Sequence, residues 1–541
     1  MDRALERRRP PLNRLPRWFV ATIGLPPLVF LAVFYVWPLA TLLARGVDGT
    51  ALSDTLQRTD TWRVLWFTTW QAAASTVLTI VIGIAPAWAV SRFEFPGRRA
   101  LTSTLTAVFV LPTVVVGAAF VALLPDALDR SVWAILGAHV VFNLAVVVRA
   151  VGAAWERIPL GLEHAAATLG AGRFVTLRTV TLPLLRSSIA AAAAIVFLFT
   201  FTSFGVIRVL GTANRTTVEV EVWRRATQLG DIGGAAVLSI VQLLTLGIVV
   251  AWTAHQQRRH THRFVTSRDD RRRRPAGRER MTVASAVGMT TVIVMAPLVA
   301  LVERSLRSEG GYSLRAWRAL GNDEVRPGLR LGFDPLGALE RSATTAVWAT
   351  LFALVVGAAA VAAISALGRA GRALDVGLML PLGTSAITIG FGMLITFDTP
   401  PVDWRAEWWL VPVGHALVAA PFVVRTALAV LRTIPSDQAA AAATLGASPV
   451  RAWAHTTLPA LRRPFAAAAG FAAAISLGEF GATSFLARSG GETLPIAIER
   501  LLGLPGSLFQ AQAFALSTIL AAATISIVML VDRGGDRAHG S

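Results

Sequence analysis

The sequence predicts an all-α, polytopic membrane protein of about twelve transmembrane helices, arranged as two parallel six-helix repeats. Three observations carry this. Apolar residues make up 54% of the 541 positions against 15% charged, with a net charge of +19, outside the balance of a soluble globular chain. Apolar runs close to the ~20 residues a helix needs to cross a ~30 Å hydrocarbon core recur along the whole length. The heptapeptide AAATLGA stands at 165–171 and again at 441–447, and each copy is followed at equal distance by TLP.

The first 17 residues are basic and proline-broken. The run after them, 18–44, is too long for the core of a cleaved signal and reads as an uncleaved first span. Further spans are expected near 64–90, 101–124, 131–148, 187–210 and 233–254. The stretch HQQRRHTHRFVTSRDDRRRRPAGRER then breaks the pattern at 255–280. So dense a run of arginine does not enter hydrocarbon, and translocating it beside span ends is disfavoured, so it reads as a cytoplasmic linker touching anionic lipid. Six more spans are expected near 281–302, 342–366, 373–397, 408–430, 466–487 and 511–531. The chain thus divides into a first half (1–254), the linker (255–280) and a second half (281–541), multi-pass in the membrane, with both termini cytoplasmic and the loop 303–340 outside.

Absent residue types exclude whole classes of chemistry. There is no cysteine, hence no disulfide, thiolate nucleophile or cysteine metal site. There is no lysine either, and a Walker A loop needs one to reach the terminal phosphates; ATP and its Mg are expected on a partner, with no cofactor on this chain. The arginines sit between apolar runs rather than interleaving with aromatics, so they orient the chain and nucleic acid is not an expected partner. No paired acids or histidines converge as a catalytic set, no metal site is expected, and the His-Thr-His at 260–262 carries little weight as one.

The repeat extends far beyond seven letters. A constant shift of 276 aligns His139 with His415, Arg149 with Arg425, and Ile158-Pro159 with Ile434-Pro435. It continues without a gap through Thr181-Leu182-Pro183 and Thr457-Leu458-Pro459, Phe204-Gly205 and Phe480-Gly481, and Thr217 and Thr493. Each half holds an even number of expected spans, so both copies emerge on the same, cytoplasmic, side.

The duplicated loop reads as helix, glycine turn, helix. In the second copy Pro435-Ser436-Asp437 offers a start, Gly446 an end, and Ser448-Pro449 a restart with serine as cap and proline in the first turn. In the first copy Gly170 closes the helix and Gly172 matches Ser448. A helix of about nine residues is marginal alone in water and must pack on something, and its alanine face permits close approach. The candidate docking residues are Glu163, His164, Ala165, Ala166, Thr168, Leu169, Gly170, Ala171, Leu182 and Pro183 in the first copy. In the second they are Ala440, Ala441, Ala442, Thr444, Leu445, Gly446, Ala447, Leu458 and Pro459. Two such knobs suit a two-fold partner; packing of the alanine loops on their own membrane domain is the alternative.

At these residues the sequence resembles the membrane subunits of ABC importers, whose cytoplasmic motif reads Glu-Ala-Ala, three residues, Gly, nine residues, Ile, one residue, Leu-Pro. Gly170 leads to Val180, Leu182 and Pro183, and Gly446 to Thr456, Leu458 and Pro459. The glutamate position is occupied by His164, with Glu163 just before it, and by Ala440, which departs from the pattern. The resemblance implies the type I importer permease fold in a bacterial inner membrane. It also implies two coupling helices docked on two copies of a cytoplasmic ATPase, alternating access driven by that pair, and an extracytoplasmic binding protein that delivers substrate. A single chain with two fused halves looks most like the thiamine and ferric-iron importers. FTSFGVIRVLGTANRTTVEVEVW at 201–223 resembles the thiamine type more closely, whereas SLGEFGATSFL at 476–486 also resembles iron and molybdate permeases. An ion-driven secondary transporter would instead call for intramembrane acids or sodium-coordinating breaks in both halves, and a membrane-embedded transferase for a convergent catalytic set.

Within the spans, Glu479 stands out, because an acid at membrane depth marks a functional candidate. Its repeat mate is Ser203. Either Glu479 lines the path of a cationic substrate, or it is a structural acid satisfied by serine, backbone or an arginine such as Arg208. Gly205 and Gly481 mark interrupted or closely packed helices and complete the candidate pathway with Ser203. His139 and His415 are expected to be hydrogen-bonded packing residues, and Arg149 and Arg425 to anchor span ends.

Overall fold

The structure, a computed structural model, describes residues 17–47, 49–259, 272–308, 311–321, 324–326, 329–330, 332–367, 369–399, 402–435, 437–488 and 490–536. Among these, nine helices are long and apolar enough to cross a membrane, and eleven if each of two bent pairs counts as a span. The expected straight spans at 101–124 and 373–397 are these pairs, bent by 106° and 99°. Their breaks have local causes. Pro112 forces Leu111 to ψ 141°, out of helical range, and Ser385 caps a new helix by accepting from the N–H groups of Ile387 and Thr388. The span expected near 466–487 is the 21-residue helix Leu458–Gly478, which comes in addition to the nine and the two bent pairs. The linker residues 260–271, with the His-Thr-His, and both chain ends lie outside the described residues, as does the proposed cap Ser436.

Two compact units form, and they cut across the sequence halves. The larger comprises Leu43–Arg341 and Ala487–Ser526. It is built on α1 (Thr59–Arg92), the bent pair α2 (Arg98–Val110) and α3 (Thr113–Leu123), and α4 (Val132–Glu156). Then come a short surface helix α5 (Leu160–Thr168), the span α6 (Leu182–Phe201), and two short helices, α7 (Gly205–Leu210) and α8 (Val218–Thr227). The first span of the second repeat, α9 (Arg278–Leu306), packs here too, its Arg304 donating to the carbonyl of Ala122. Gly83 lets α1 and α4 meet closely: a Cβ there would lie 2.7 Å from Val147 Cγ1. Thr68, Thr76 and Thr79 return their hydroxyls to carbonyls four residues back, so α1 buries threonines without orphaned donors.

The smaller unit comprises the chain up to Leu42, Ser342–Leu486 and Ile527–Ser541. Its core lies around α10 (Ala386–Phe397) and α11 (Leu410–Leu431), with a surface helix α12 (Asp437–Thr444) and the span α13 (Leu458–Gly478). The chain's first span, although first in sequence, packs into this core through Phe30, Leu31 and Tyr35. The Tyr35 hydroxyl bonds Thr384 Oγ1 at 2.6 Å, and Gly392 accepts the close approach of the Pro38 backbone.

Candidate functional site

The two copies of the duplicated loop have the same backbone construction. In the first, α5 ends at Thr168 and Gly170 turns at φ +83°. The N–H of Gly170 donates to the carbonyl of Ala167 and that of Ala171 to Ala166, each at 3.0 Å. In the second, Gly446 also stands at φ +83°, with Gly446 donating to Ala443 and Ala447 to Ala442, again at 3.0 Å. This paired bonding is the Schellman ending, and the glycine is required by its left-handed φ. Thr168 and Thr444 each fold a hydroxyl onto the carbonyl three residues back, Ala165 and Ala441. The turn thrusts Leu169 and Leu445 outward, each 89% exposed. Two leucines presented this openly at matched positions are apolar knobs without a covering surface among the described residues.

The chain restarts at once. Arg173–Thr176 and Pro449–Ala452 each form one helical turn, the second capped by Ser448 accepting from the N–H of Arg451. Both then widen into a π-turn, Leu177–Thr181 and Trp453–Thr457, before α6 and α13 begin at Leu182-Pro183 and Leu458-Pro459. Proline accounts for this widening: Pro183 and Pro459 have no N–H to give, and their rings press on the carbonyls four residues back, of Thr179 and His455. The N–H groups of Leu182 and Leu458 reach five residues back instead, to Leu177 and Trp453. The sequence signal was the TLP itself. The helix nevertheless stays continuous from Phe174 to Phe201, about 42 Å at 1.5 Å per residue, so the restart after the glycine turn and the membrane span are one rod.

The acid next to the motif's glutamate position is held by an ion pair. Glu163, not His164, makes the tether: Arg92 Nη2 donates to Glu163 Oε1 at 2.8 Å and Arg92 Nη1 to the carbonyl of Ile158 at 2.9 Å. Arg92 is buried at the end of α1, so α5 is tied to the longest helix of its unit. His164 is exposed. It lines a cleft of about 500 Å³ together with Trp88, Trp155, Arg273 and Glu279. Arg273 bonds Glu279 at 2.6 and 2.8 Å, which raises its guanidinium above the usual arginine value despite partial burial.

At the other end of α6 and α13 the helices break. α6 ends at Phe201 and α7 begins at Gly205; α13 ends at Gly478 and a turn follows at Thr483–Leu486. Both glycines sit where a neighbouring helix starts: a Cβ on Gly205 would lie 3.0 Å from the Val114 nitrogen, and on Gly481 3.2 Å from the Ile387 nitrogen. Interruption and close packing are therefore both present. Ser203 bonds His139 Nε2 at 2.9 Å and gives its carbonyl to Thr217 Oγ1 at 3.2 Å. His139 Nδ1 meets Ser75 Oγ at 3.1 Å. In the second copy His415 bridges Ser476 and Thr483 hydroxyls, each at 2.7 Å. Both histidines are hydrogen-bonded packing residues.

Glu479 is bonded within the turn that follows it. Its Oε1 accepts the N–H of Ala482 at 2.8 Å and its carbonyl takes the Thr483 hydroxyl at 3.1 Å, capping the turn after the break. Arg208 is not its partner, being paired with Glu499 and stacked 4.0 Å over Trp223. The span-end arginines do more than anchor: Arg149 donates to Thr106 Oγ1 at 3.0 Å, and Arg425 lies 3.8 Å from Asp375, which Arg432 also approaches at 3.5 Å.

Residues 79–262 and 355–536 each match the model of a family described as the binding-protein-dependent transport system inner membrane component. The two matches begin 276 positions apart, the register of the internal repeat, and neither includes the first span of its half. The thiamine transport system permease protein ThiP of Brucella abortus (strain 2308) is 28% identical over 512 residues, covering 90% of each chain. That of Salmonella typhimurium is 26% identical over 531 residues, covering 92% of this chain and 93% of its own. Among solved structures, a bacterial ABC transporter involved in the import of the acidic polysaccharide alginate matches 45% of this chain and 96% of its own at 17% identity and a TM-score of 0.40.

Proposed function

The chain belongs to the binding-protein-dependent transport system inner membrane components, and on that premise we propose that it is the fused two-repeat permease of an ATP-driven thiamine importer. Thiamine permeases similar along about nine-tenths of the chain support that substrate over ferric iron. The first half (1–254) and second half (281–541), joined by the linker, each contribute one coupling helix on the cytoplasmic face, where both termini also lie. Two copies of a separate ATPase, carrying the ATP and Mg, dock there, and an extracytoplasmic binding protein delivers the cargo.

The observation that carries this reading is the duplicated construction of short helix, Schellman turn, exposed leucine and continuous rod. Leu169 and Leu445 seat in grooves of the ATPase pair. When that pair closes, each rod moves as a rigid body, and the breaks after Phe201 and Gly478 decouple its inner end from the far side of the membrane. Rigid elements meeting at breaks are how small displacements become alternating access. No residue of this chain performs a covalent step in this scheme.

The test is uptake into proteoliposomes holding this chain, its ATPase and its binding protein. Radiolabelled thiamine should accumulate only with ATP, and ferric iron should not. Flux through the chain alone, without nucleotide, would defeat the proposal.

A further inference from the structure

Beyond the far end of α6, one side chain is shared by both repeats. α6 carries the chain about 30 Å from the surface loop at 1.5 Å per residue, and α7 and α8 follow it there. α8 (Val218–Thr227) has a register mate in α14 (Leu494–Gly503), onto which the 276-residue shift carries it boundary for boundary. Both helices belong to the larger unit, where α14 packs on α3 and α7. Arg208 of α7 joins the two mates. Its Nη2 donates to Glu499 Oε1 on α14, and its guanidinium lies 4.0 Å from the ring centroid of Trp223 on α8.

Trp223 and Glu499 are themselves register mates, and mates come this close only where the two copies of an element face each other. One copy supplies a ring face and the other a carboxylate, with one flat cation between them. The neighbouring arginines are committed elsewhere: Arg224 grips both oxygens of Glu221 at 2.8 Å, and Arg500 meets Glu492 at 2.7 Å. The mate of Arg208 is Ser484, whose hydroxyl donates to the carbonyl of Gly481 at 2.7 Å, so the second repeat offers no cation in return. Arg208 satisfies the place imperfectly. Its Nε and the Trp223 Nε1 are buried without a hydrogen-bond partner among the described residues. Nor is it sealed in, since the Arg208 and Glu499 side chains are 20% and 21% exposed. Arg208 also lines a cleft of about 550 Å³ with Arg63, Arg130, Arg215 and Arg224, beside Asp60 and Glu221, which gives it room to swing aside.

We propose that Trp223 and Glu499 form a recognition site for a flat organic cation, the thiazolium ring of the cargo, and that Arg208 occupies it as a built-in stand-in until cargo arrives. The inference rests on the thiamine reading. A thiazolium is planar, aromatic and permanently charged, so it can lie on an indole face while its charge meets a carboxylate, as the guanidinium does. The exchange replaces one cation by another on the same two groups, and Glu499 stays paired before and after it. An uncharged solute that displaced Arg208 would strand that partly buried carboxylate, which is costly. The site therefore selects for charge.

The experiment measures radiolabelled thiamine binding to the full chain with its ATPase in lipid nanodiscs, beside ATP-driven uptake in proteoliposomes that also hold the binding protein. Arg208→Gln removes the competitor, so binding should tighten about tenfold as the open fraction of sites rises. Glu499→Gln removes the countercharge and should weaken binding about tenfold or more. Trp223→Leu leaves the ion pair in place and should still weaken binding severalfold. The uncharged isostere of thiamine, with carbon in place of the thiazolium nitrogen, should bind the Arg208→Gln chain about tenfold more weakly than thiamine does. Retained assembly with the ATPase controls for folding, and if Glu499→Gln fails to assemble, Trp223→Leu and the isostere carry the comparison. A plain ion-pair latch makes Arg208→Gln and Glu499→Gln act alike, so shifts of the same sign in the two, or none in either, would overturn the site. Absence of ATP-driven thiamine uptake by the unmodified assembly would instead overturn the thiamine reading, and the site with it.

Discussion

A single methyl group at Gly170 or Gly446 should uncouple the ATPase, whereas the same methyl at Gly161, inside α5, should not. A Cβ on any of the three would meet nothing within 4 Å, so packing does not distinguish them. Backbone does. Gly170 and Gly446 stand at φ +83° and Gly161 does not, and an L-residue held in the left-handed region costs about 1–2 kcal/mol. Alanine inside a helix instead favours it by up to ~1 kcal/mol over glycine. No residue of α5 is buried, so no core restrains it, and 1–2 kcal/mol shifts the closed turn about 5–30-fold. The expected result is roughly tenfold weaker ATPase binding for Gly170→Ala and for Gly446→Ala, and equal or tighter binding for Gly161→Ala. Fluorescence titration of the ATPase onto the chain in nanodiscs measures this. The thermal midpoint should hold, since the turn opens below the global transition. Gly170→Ala binding as tightly as the unmodified chain, or Gly161→Ala weakening as much, would refute the reasoning.

The tether of the first coupling helix should be worth about 1.5–3 kcal/mol, as a hydrogen bond to a charged partner. Glu163→Gln should therefore cut binding-protein-stimulated ATP hydrolysis, and Arg92→Glu/Glu163→Arg should recover part of it in a double-mutant cycle. At Glu479 the capping contact needs only an acceptor, so Glu479→Gln should keep thiamine uptake, whereas Glu479→Ala should lower stability by about 1–3 kcal/mol through the orphaned N–H of Ala482; loss of uptake in a well-folded Glu479→Gln would restore a pathway role. Gly390→Ala forces a Cβ to 2.6 Å from the Ala482 Cα, and overpacking of about 1–3 kcal/mol should show as a lower thermal midpoint.

The duplicated surface elements were readable because local chemistry specifies them: Gly170 and Gly446 end helices, Ser448 caps one, and TLP opens the next. Their departure from pattern was readable as a letter but not as geometry. That Glu163 pairs with Arg92, 71 residues away, is set by no spacing rule. The bends at Pro112 and Ser385 had local signals, yet the continuous apolarity of 101–124 and 373–397 outweighed them, since hydropathy counts residues and is blind to direction.

By itself the sequence determined that this is a membrane chain, that it is doubled in parallel, and that its two repeated surface loops are helix–turn–helix elements, because hydrocarbon thickness, charge placement and glycine φ act on neighbours along the chain. Only the tertiary structure decided that the first span packs with the core of the second repeat, that Glu479 caps a turn, and that five arginines from α1, the segment before α4, and α7 through α8 share one cleft. Each of those outcomes is a choice of partner between residues far apart in the chain, settled by which apolar faces and charges fit when the helices close-pack, and no local pattern carries that information.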